Sequence, residues 1–198
     1  MKILLIGSTG TIGRNVLEAL KARHEVVEAN RNSGLRVDID NPDSIKAMYQ
    51  QAGPLDAVVV AAGGGAFKSL PELEDADFAY SLQSKLMGQV NVVRFGLKNV
   101  RDGGSFTLTS GTLAHDPMPG SAAISLINAG VEGFARAAAL ELRDRRIRVN
   151  VVSPGWVSET LASMGQDPSH GIPSEQVAKS YMESVEGKQT GTVISAAT

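Results

Sequence analysis

The sequence predicts an α/β fold: a doubly wound sheet of about seven mostly parallel strands with helices on both faces. Three observations predict it. Short apolar runs alternate along the chain with stretches of helical periodicity, the pattern of a parallel sheet buried on both faces. The first run, Lys2-Ile3-Leu4-Leu5-Ile6, passes through Gly7-Ser8-Thr9-Gly10-Thr11-Ile12-Gly13 straight into a helical stretch. The obvious loops, Ala62-Gly63-Gly64-Gly65 and residues 111–120, follow the carboxyl ends of predicted strands, where open α/β sheets place ligands.

The elements follow in order. Residues 3–6 form the first strand and 13–23 the helix beyond the glycine turn, with further strands at 25–29 and 35–37. Asn41 caps a helix over 42–51, with Pro42 in the first turn, where its missing N–H has no intrahelical partner to lose. The next strand is 57–61. A long helix is expected over 77–99, because Phe78, Leu82, Leu86, Val90, Val93 and Leu97 recur at spacings of three or four and make one apolar stripe. Strand 105–109 precedes a helix over 122–143 with the stripe Ile124, Ile127, Val131, Phe134 and Ala138. Its small residues Ala129, Gly130 and Gly133 permit close approach by a second helix, which is compatible with a subunit interface. Strand 149–152, a helix over 174–184 introduced by Pro173-Ser174, and strand 192–195 complete the series.

A chain of 198 residues with 42% hydrophobic content has the length of one domain, 1–198, and can bury a substantial core. The net charge is −2 without a long run of one sign, so neither nucleic acid nor an anionic membrane surface is expected as a partner. The one basic cluster, Arg143-Asp144-Arg145-Arg146-Ile147-Arg148, closes a predicted helix, where cations complement the negative end of the dipole. The absence of cysteine excludes a disulfide framework, a thiol nucleophile and thiolate metal ligands, and fits a cytoplasmic protein. The amino-terminal apolar stretch is too short for a membrane span, and no export signal is read from it. His24, His115 and His170 lack the paired spacing of a zinc-binding helix, so no metal is expected.

The glycine turn carries the functional reading. In Gly7-x-x-Gly10-x-x-Gly13 the glycines permit a tight turn and close backbone approach, while unpaired N–H groups at the helix start attract pyrophosphate. A strand before and a helix after make dinucleotide binding the expectation.

Other segments extend it. Val60-Ala61-Ala62-Gly63, Leu108-Thr109-Ser110, Arg148-Val149-Asn150-Val151-Val152-Ser153-Pro154-Gly155 and Thr190-Gly191-Thr192-Val193-Ile194 each close or span a predicted strand. With the glycine turn, they make the chain resemble the short-chain dehydrogenase/reductases over essentially its whole length. The resemblance implies a Rossmann-like fold. It also implies cofactor contacts from Gly7, Ser8, Thr9, Gly10, Ile12 and Gly13, from Ala61, Ala62 and Gly63, and, beside the nicotinamide, from Pro154, Gly155 and Val157. Asp38 resembles the family's adenine-contacting acid, with a role in ordering the turn before Asn41 as the alternative. Pairing of the helices from Asp77 and Ala122 about a two-fold axis is implied as well, in a homodimer or homotetramer.

Cofactor choice is read at the end of the second strand. A carboxylate there binds the ribose diol of NAD, whereas an arginine accommodates the extra phosphate of NADP. Asn30-Arg31 occupies that place, and Arg31, helped by Arg14, argues for NADP over NAD. Glu28 is the rival, at the right separation from the glycines for a ribose-binding acid.

The active-site motif departs from the family. Members usually carry Tyr-x-x-x-Lys on one helical face, where the ammonium lowers the phenol pKa for proton transfer. Here the segment reads Ile124-Ser125-Leu126-Ile127-Asn128, in a register anchored by Ala129-Gly130-Val131-Glu132-Gly133-Phe134. Tyr49, Tyr80 and Tyr181 lie outside this helix. Ser110 matches the family's catalytic serine. Lys85 occupies a position where the family often has asparagine, and Asn128 the usual lysine position, so the two residue types look exchanged. Lys85 with Ser110 is therefore the expected replacement for the missing acid, and His115, entering from the loop after Ser110, is the alternative.

Two functions follow. One is an NADP-dependent oxidoreductase acting on an unknown small carbonyl or alcohol with a non-standard proton donor. The other is a catalytically inactive NAD(P)-binding sensor or regulatory protein. The segment between Pro154 and Pro173 is brief for the family and is expected to offer little wall for a large ligand.

Overall fold

A computed structural model describes residues 1–32 and 34–196. It contains the strands β1 (Lys2–Ile6), β2 (Glu25–Asn30), β3 (Leu35–Arg36), β4 (Leu55–Val60), β5 (Val100–Thr109), β6 (Arg148–Pro154) and β7 (Val193–Ala196). They pair in the order β3-β2-β1-β4-β5-β6-β7, every pair parallel. All carboxyl ends therefore lie along one edge. The strand order reverses between β1 and β4, and it is outside such a reversal that open α/β sheets leave a crevice.

The helices are α1 (Thr11–Lys21), α2 (Pro42–Ala52), α3 (Asp75–Ser81), α4 (Gly88–Gly96), α5 (Ala122–Glu141), α6 (Ser158–Ser163) and α7 (Ser174–Glu186). Alternation along β1 separates the two cores. Ile3 and Leu5 pack with Val16 and Leu20 of α1 and Tyr181 and Val185 of α7. Leu4 and Ile6 face the other way, onto Ile45 and Met48 of α2, Val92 of α4 and Val131 of α5. Burial on both faces is why these strands read as continuous apolar runs. Among the described residues, no helix is long and apolar enough to cross a membrane.

Four differences from the sequence reading stand out. The long helix begins at Asp75, two residues early, because Glu74 and Asp77 form a capping box. Between α3 and α4 it runs through a π-helical turn, Leu82–Met87, which inserts extra backbone and shifts the phase of the stripe. In β5, Ala57 pairs with Ser105 but Leu55 pairs with Val100, so the Arg-Asp-Gly-Gly segment between them breaks the register. The sequence showed only the regular half. The segment after Pro154 also forms α6, a helix too short to show periodicity, where the Glu159 carboxylate accepts hydrogen bonds from the backbone N–H and hydroxyl of Ser174.

Candidate active site

The glycine turn brings three backbones together. Gly7 has φ +89, and a β-carbon there would lie 2.4 Å from Ala61 O. One on Gly13 would lie 1.9 Å from Gly7 O. The end of β1, the loop after β4 and the first turn of α1 thus meet where only glycine fits. Gly10 precedes α1 without a side-chain cap, and no acidic residue occupies the first turn, so the helix start is left open to an anion.

A cavity of about 460 Å³ lies over this turn. Gly7, Thr9 and Gly10 line it from one side, Asn30 and Arg31 from the end of β2, and Ala61, Ala62 and Gly63 from the loop after β4. Ser8 and Gly13 sit beneath it: Ser8 is buried and its hydroxyl accepts from Asn30 Nδ2 at 3.4 Å, while Asn30 Oδ1 accepts from Asn32 N. Arg14 folds back over the turn, with Nε donating to Thr9 O at 3.0 Å. Glu28 lies outside the lining. Its carboxylate is taken by Lys21 at 2.8 Å, and that hydrogen bond holds it below the usual carboxylate range. Asp38 is exposed and organises the turn before α2, accepting from Asp40 N, and Asp40 lines the cavity. The sequence reading also passed over Tyr80 and Ser84, which close the cavity from the α3 side. Serines on that side anchor the glycine loop: Ser84 Oγ accepts from Gly64 N and Ser81 Oγ from Ala66 N.

A second cavity, about 320 Å³, lies at the ends of β5 and β6. Ile12, Pro154, Gly155 and Val157 line it, together with an apolar wall that includes Phe67, Ile124, Trp156 and Met164. The segment after Pro154 therefore supplies a wall that its brevity did not suggest. Lys85 is the one charged residue among the described lining. Part of its surface stays open to the cavity, but the protein around the ammonium lowers its pKa to about 8, and Nζ donates to Ser110 O at 2.9 Å. Asn128 enters from α5. Its Nδ2 reaches Gly111 O at 3.4 Å, while Oδ1 is buried without a hydrogen-bond partner among the described residues. Gly63, at φ +110, joins the two cavities: a β-carbon there would stand 2.9 Å from Lys85 Cα.

Ser110 also lines this cavity, whereas His115, Tyr49, Tyr80 and Tyr181 are not among its described lining residues. The Ser110 side chain is 1% exposed, and its hydroxyl donates to Glu132 Oε1 at 2.9 Å. The other oxygen of Glu132 meets His115 Nε2 at 2.6 Å, and the His115 side chain is 61% exposed to solvent. Glu132, fully buried, is a further residue that sequence reasoning missed. Its one signal was a carboxylate a single helical turn beyond Asn128, beside the apolar stripe. The Tyr49 and Tyr181 hydroxyls bond to Val92 O and Thr109 Oγ1, and burial raises both pKa values. Tyr80 is half exposed over the first cavity. Among the described residues, no group of three His, Cys, Asp or Glu is placed to hold a metal ion.

The two adjoining cavities fit a dinucleotide: a cradle that any β-carbon would fill, an open helix start, and an unpartnered acceptor at the far end. A family model described as Enoyl-(Acyl carrier protein) reductase matches residues 12–194. The chain belongs to the short-chain dehydrogenase/reductase family. This short-chain dehydrogenase/reductase is similar to the protein lin1944 from Listeria innocua, with a TM-score of 0.94, 42% identity and 98% of each chain covered. It is also similar to a small-chain dehydrogenase in complex with NADPH, with a TM-score of 0.87 and 25% identity over 98% of this chain and 95% of that one. Hydroxynaphthalene reductase-like protein Arp2 from Metarhizium brunneum is 27% identical over 180 residues, 83% of this chain and 67% of that protein. Versicolorin reductase stcU from Emericella nidulans is 28% identical over 157 residues, 74% and 60% of the two lengths. The chain spans about two thirds of the length of these curated relatives.

Proposed function

We propose that the chain is an NADP-dependent oxidoreductase acting on a small carbonyl or alcohol, with Lys85 as the proton donor. The observation that carries this reading is the adjacency of the glycine cradle, with Arg31 at its rim, to an enclosed ammonium in an otherwise apolar cavity. The reductase names of the relatives and the NADPH-bound neighbour support it.

In this reading the turn from Gly7 to Gly13 and the start of α1 hold the pyrophosphate, and Arg31 pairs with the 2′-phosphate. Pro154, Gly155 and Val157 flank the nicotinamide. The bound cofactor supplies or accepts the hydride. Lys85 manages the proton. One of its N–H groups is fixed on Ser110 O, which leaves two directed at a substrate oxygen. With a pKa of about 8 it holds a proton at neutral pH and releases it more readily than an exposed lysine. Ser110 then serves through its carbonyl, because its hydroxyl is engaged by Glu132. Asn128 Oδ1 is left to accept from a hydroxyl or amide of whatever occupies the cavity.

A cofactor-binding sensor is the second reading, favoured by the absence of any tyrosine or lysine from α5. NADPH titration followed by a panel of small carbonyls separates the two. NADPH oxidation that falls about 100-fold in Lys85→Met, with NADPH affinity retained, supports the enzyme. Tight binding without oxidation across the panel supports the sensor. We further propose a homodimer or homotetramer paired through the π-helical turn and α5, which leave Met87 and Leu126 exposed. Light scattering that finds only monomer at micromolar concentration would overturn that.

A further inference from the structure

The amino-terminal edge of the sheet carries another recess, of about 610 Å³, where α5 ends, β6 begins and the chain enters β7. Because every strand is parallel, it lies across the sheet from the glycine turn. Five cations line it: Arg136, Arg143, Arg146, Arg148 and Lys188. No aspartate or glutamate is among the described lining residues. The chain as a whole carries −2, so this is a local excess against the net balance.

Internal pairing does not account for these charges. The side chains of Arg143, Arg146 and Lys188 have no hydrogen-bond or ion-pair partner among the described residues. Arg136 stands 3.9 Å from Glu132. Arg148 is fixed in place by donating to Ser184 O and Val185 O at 2.6 and 2.8 Å. The dipole of α5 explains cations just past its end. It does not explain Lys188, which arrives after α7, or Arg136, which lies within the helix. Arg146 adds a separate observation. It is the one non-glycine residue with positive φ among those described, at φ 54, a conformation that glycine and asparagine adopt at lower cost.

We infer that this recess is a second ligand site, for an anion carrying two or more clustered phosphates. Convergent guanidinium groups and an ammonium bind phosphate oxygens through charge-assisted hydrogen bonds. The 64% exposed Leu140, backed by the buried Ala139 and Ile147, is an apolar surface beside the cations that an organic group attached to the phosphates can cover.

Isothermal titration of the full chain at low salt, with inorganic tripolyphosphate and with ADP as probes, tests the site. The parent is expected to bind tripolyphosphate. Affinity should fall at least about tenfold in the double variant Arg143→Gln/Arg146→Asn and severalfold in Lys188→Gln, and stay unchanged in Lys46→Gln, an exposed lysine of α2 outside the recess. Asparagine suits the left-handed backbone at 146, and Lys188→Gln reports independently should the double variant unfold. Tighter binding of ADP that is lost in the same variants identifies an organic phosphate as the ligand, and tripolyphosphate alone a free polyphosphate. Failure of both probes to bind the parent, binding unchanged in the double variant and Lys188→Gln, or an equal loss in Lys46→Gln would each overturn the inference.

Discussion

Lys85 is the residue on which proton chemistry turns, and its environment makes a signed prediction. Burial holds its pKa at about 8 against an ordinary value of 10.5. Between those values the unfolded chain binds a proton that the folded chain does not, so stability rises as pH climbs from about 8 toward 10.5. Below 8 the full desolvation cost is present. Urea unfolding of the parent and Lys85→Met at pH 7 and pH 10 should show the parent gaining about 2–3 kcal/mol on the variant at the higher pH. A difference that ignores pH would contradict an enclosed ammonium. Glu132 makes a second prediction, because it is buried and accepts from both Ser110 and His115. Glu132→Ala should cost about 3 kcal/mol in chemical denaturation and Glu132→Gln about 1. A Glu132→Gln variant as stable as the parent would mean that the side chain acts by filling space rather than as a hydrogen-bond acceptor.

At the scale of the element, the contact between the start of α1 and the end of β1 decides whether a cofactor can dock. Gly13→Ala sets a β-carbon 1.9 Å from Gly7 O, so the first turn of α1 must move. NADPH affinity is expected to fall about 100-fold, with about 2–4 kcal/mol lost in stability. Gly53→Ala is the control. Gly53 has φ +68 but nothing within 4 Å of its added carbon, so it should lose about 1 kcal/mol and leave NADPH titration unchanged. The π-helical turn shows where sequence periodicity ends. The stripe from Phe78 to Leu97 locates a helix, but not the extra backbone at Leu82–Met87. That extra backbone carries Lys85, and it packs against the loop after β4, distant in sequence, where Gly64 N donates to Ser84 Oγ and Gly63 abuts Lys85.

For the whole molecule, the parallel sheet collects the carboxyl ends of β1, β4, β5 and β6 on one edge and builds both cavities there. A ligand that spans them binds only the folded chain. NADPH at 100 times its dissociation constant should therefore add about 2.7 kcal/mol, and calorimetry should show the midpoint raised by roughly 5–11 °C. A smaller rise with NADH at the same concentration is expected from Arg31, and equal rises would remove the preference for NADP.

By itself the sequence determined the layered α/β fold, the order of strands and helices along the chain, and the place of the glycine turn. Those depend on period-two and period-3.6 burial and on a turn that only glycine permits, all written within a few residues. Tertiary structure alone decided which way side chains point. It set the Ser110 and His115 side chains on Glu132, placed Asp40 in the cavity lining, and gathered Arg136 and Lys188 into the recess with the arginines after α5. It also brought Lys85 and Asn128 to one space from different helices. Each of those outcomes rests on contacts between distant segments and on the phase of a helix, neither of which local composition encodes.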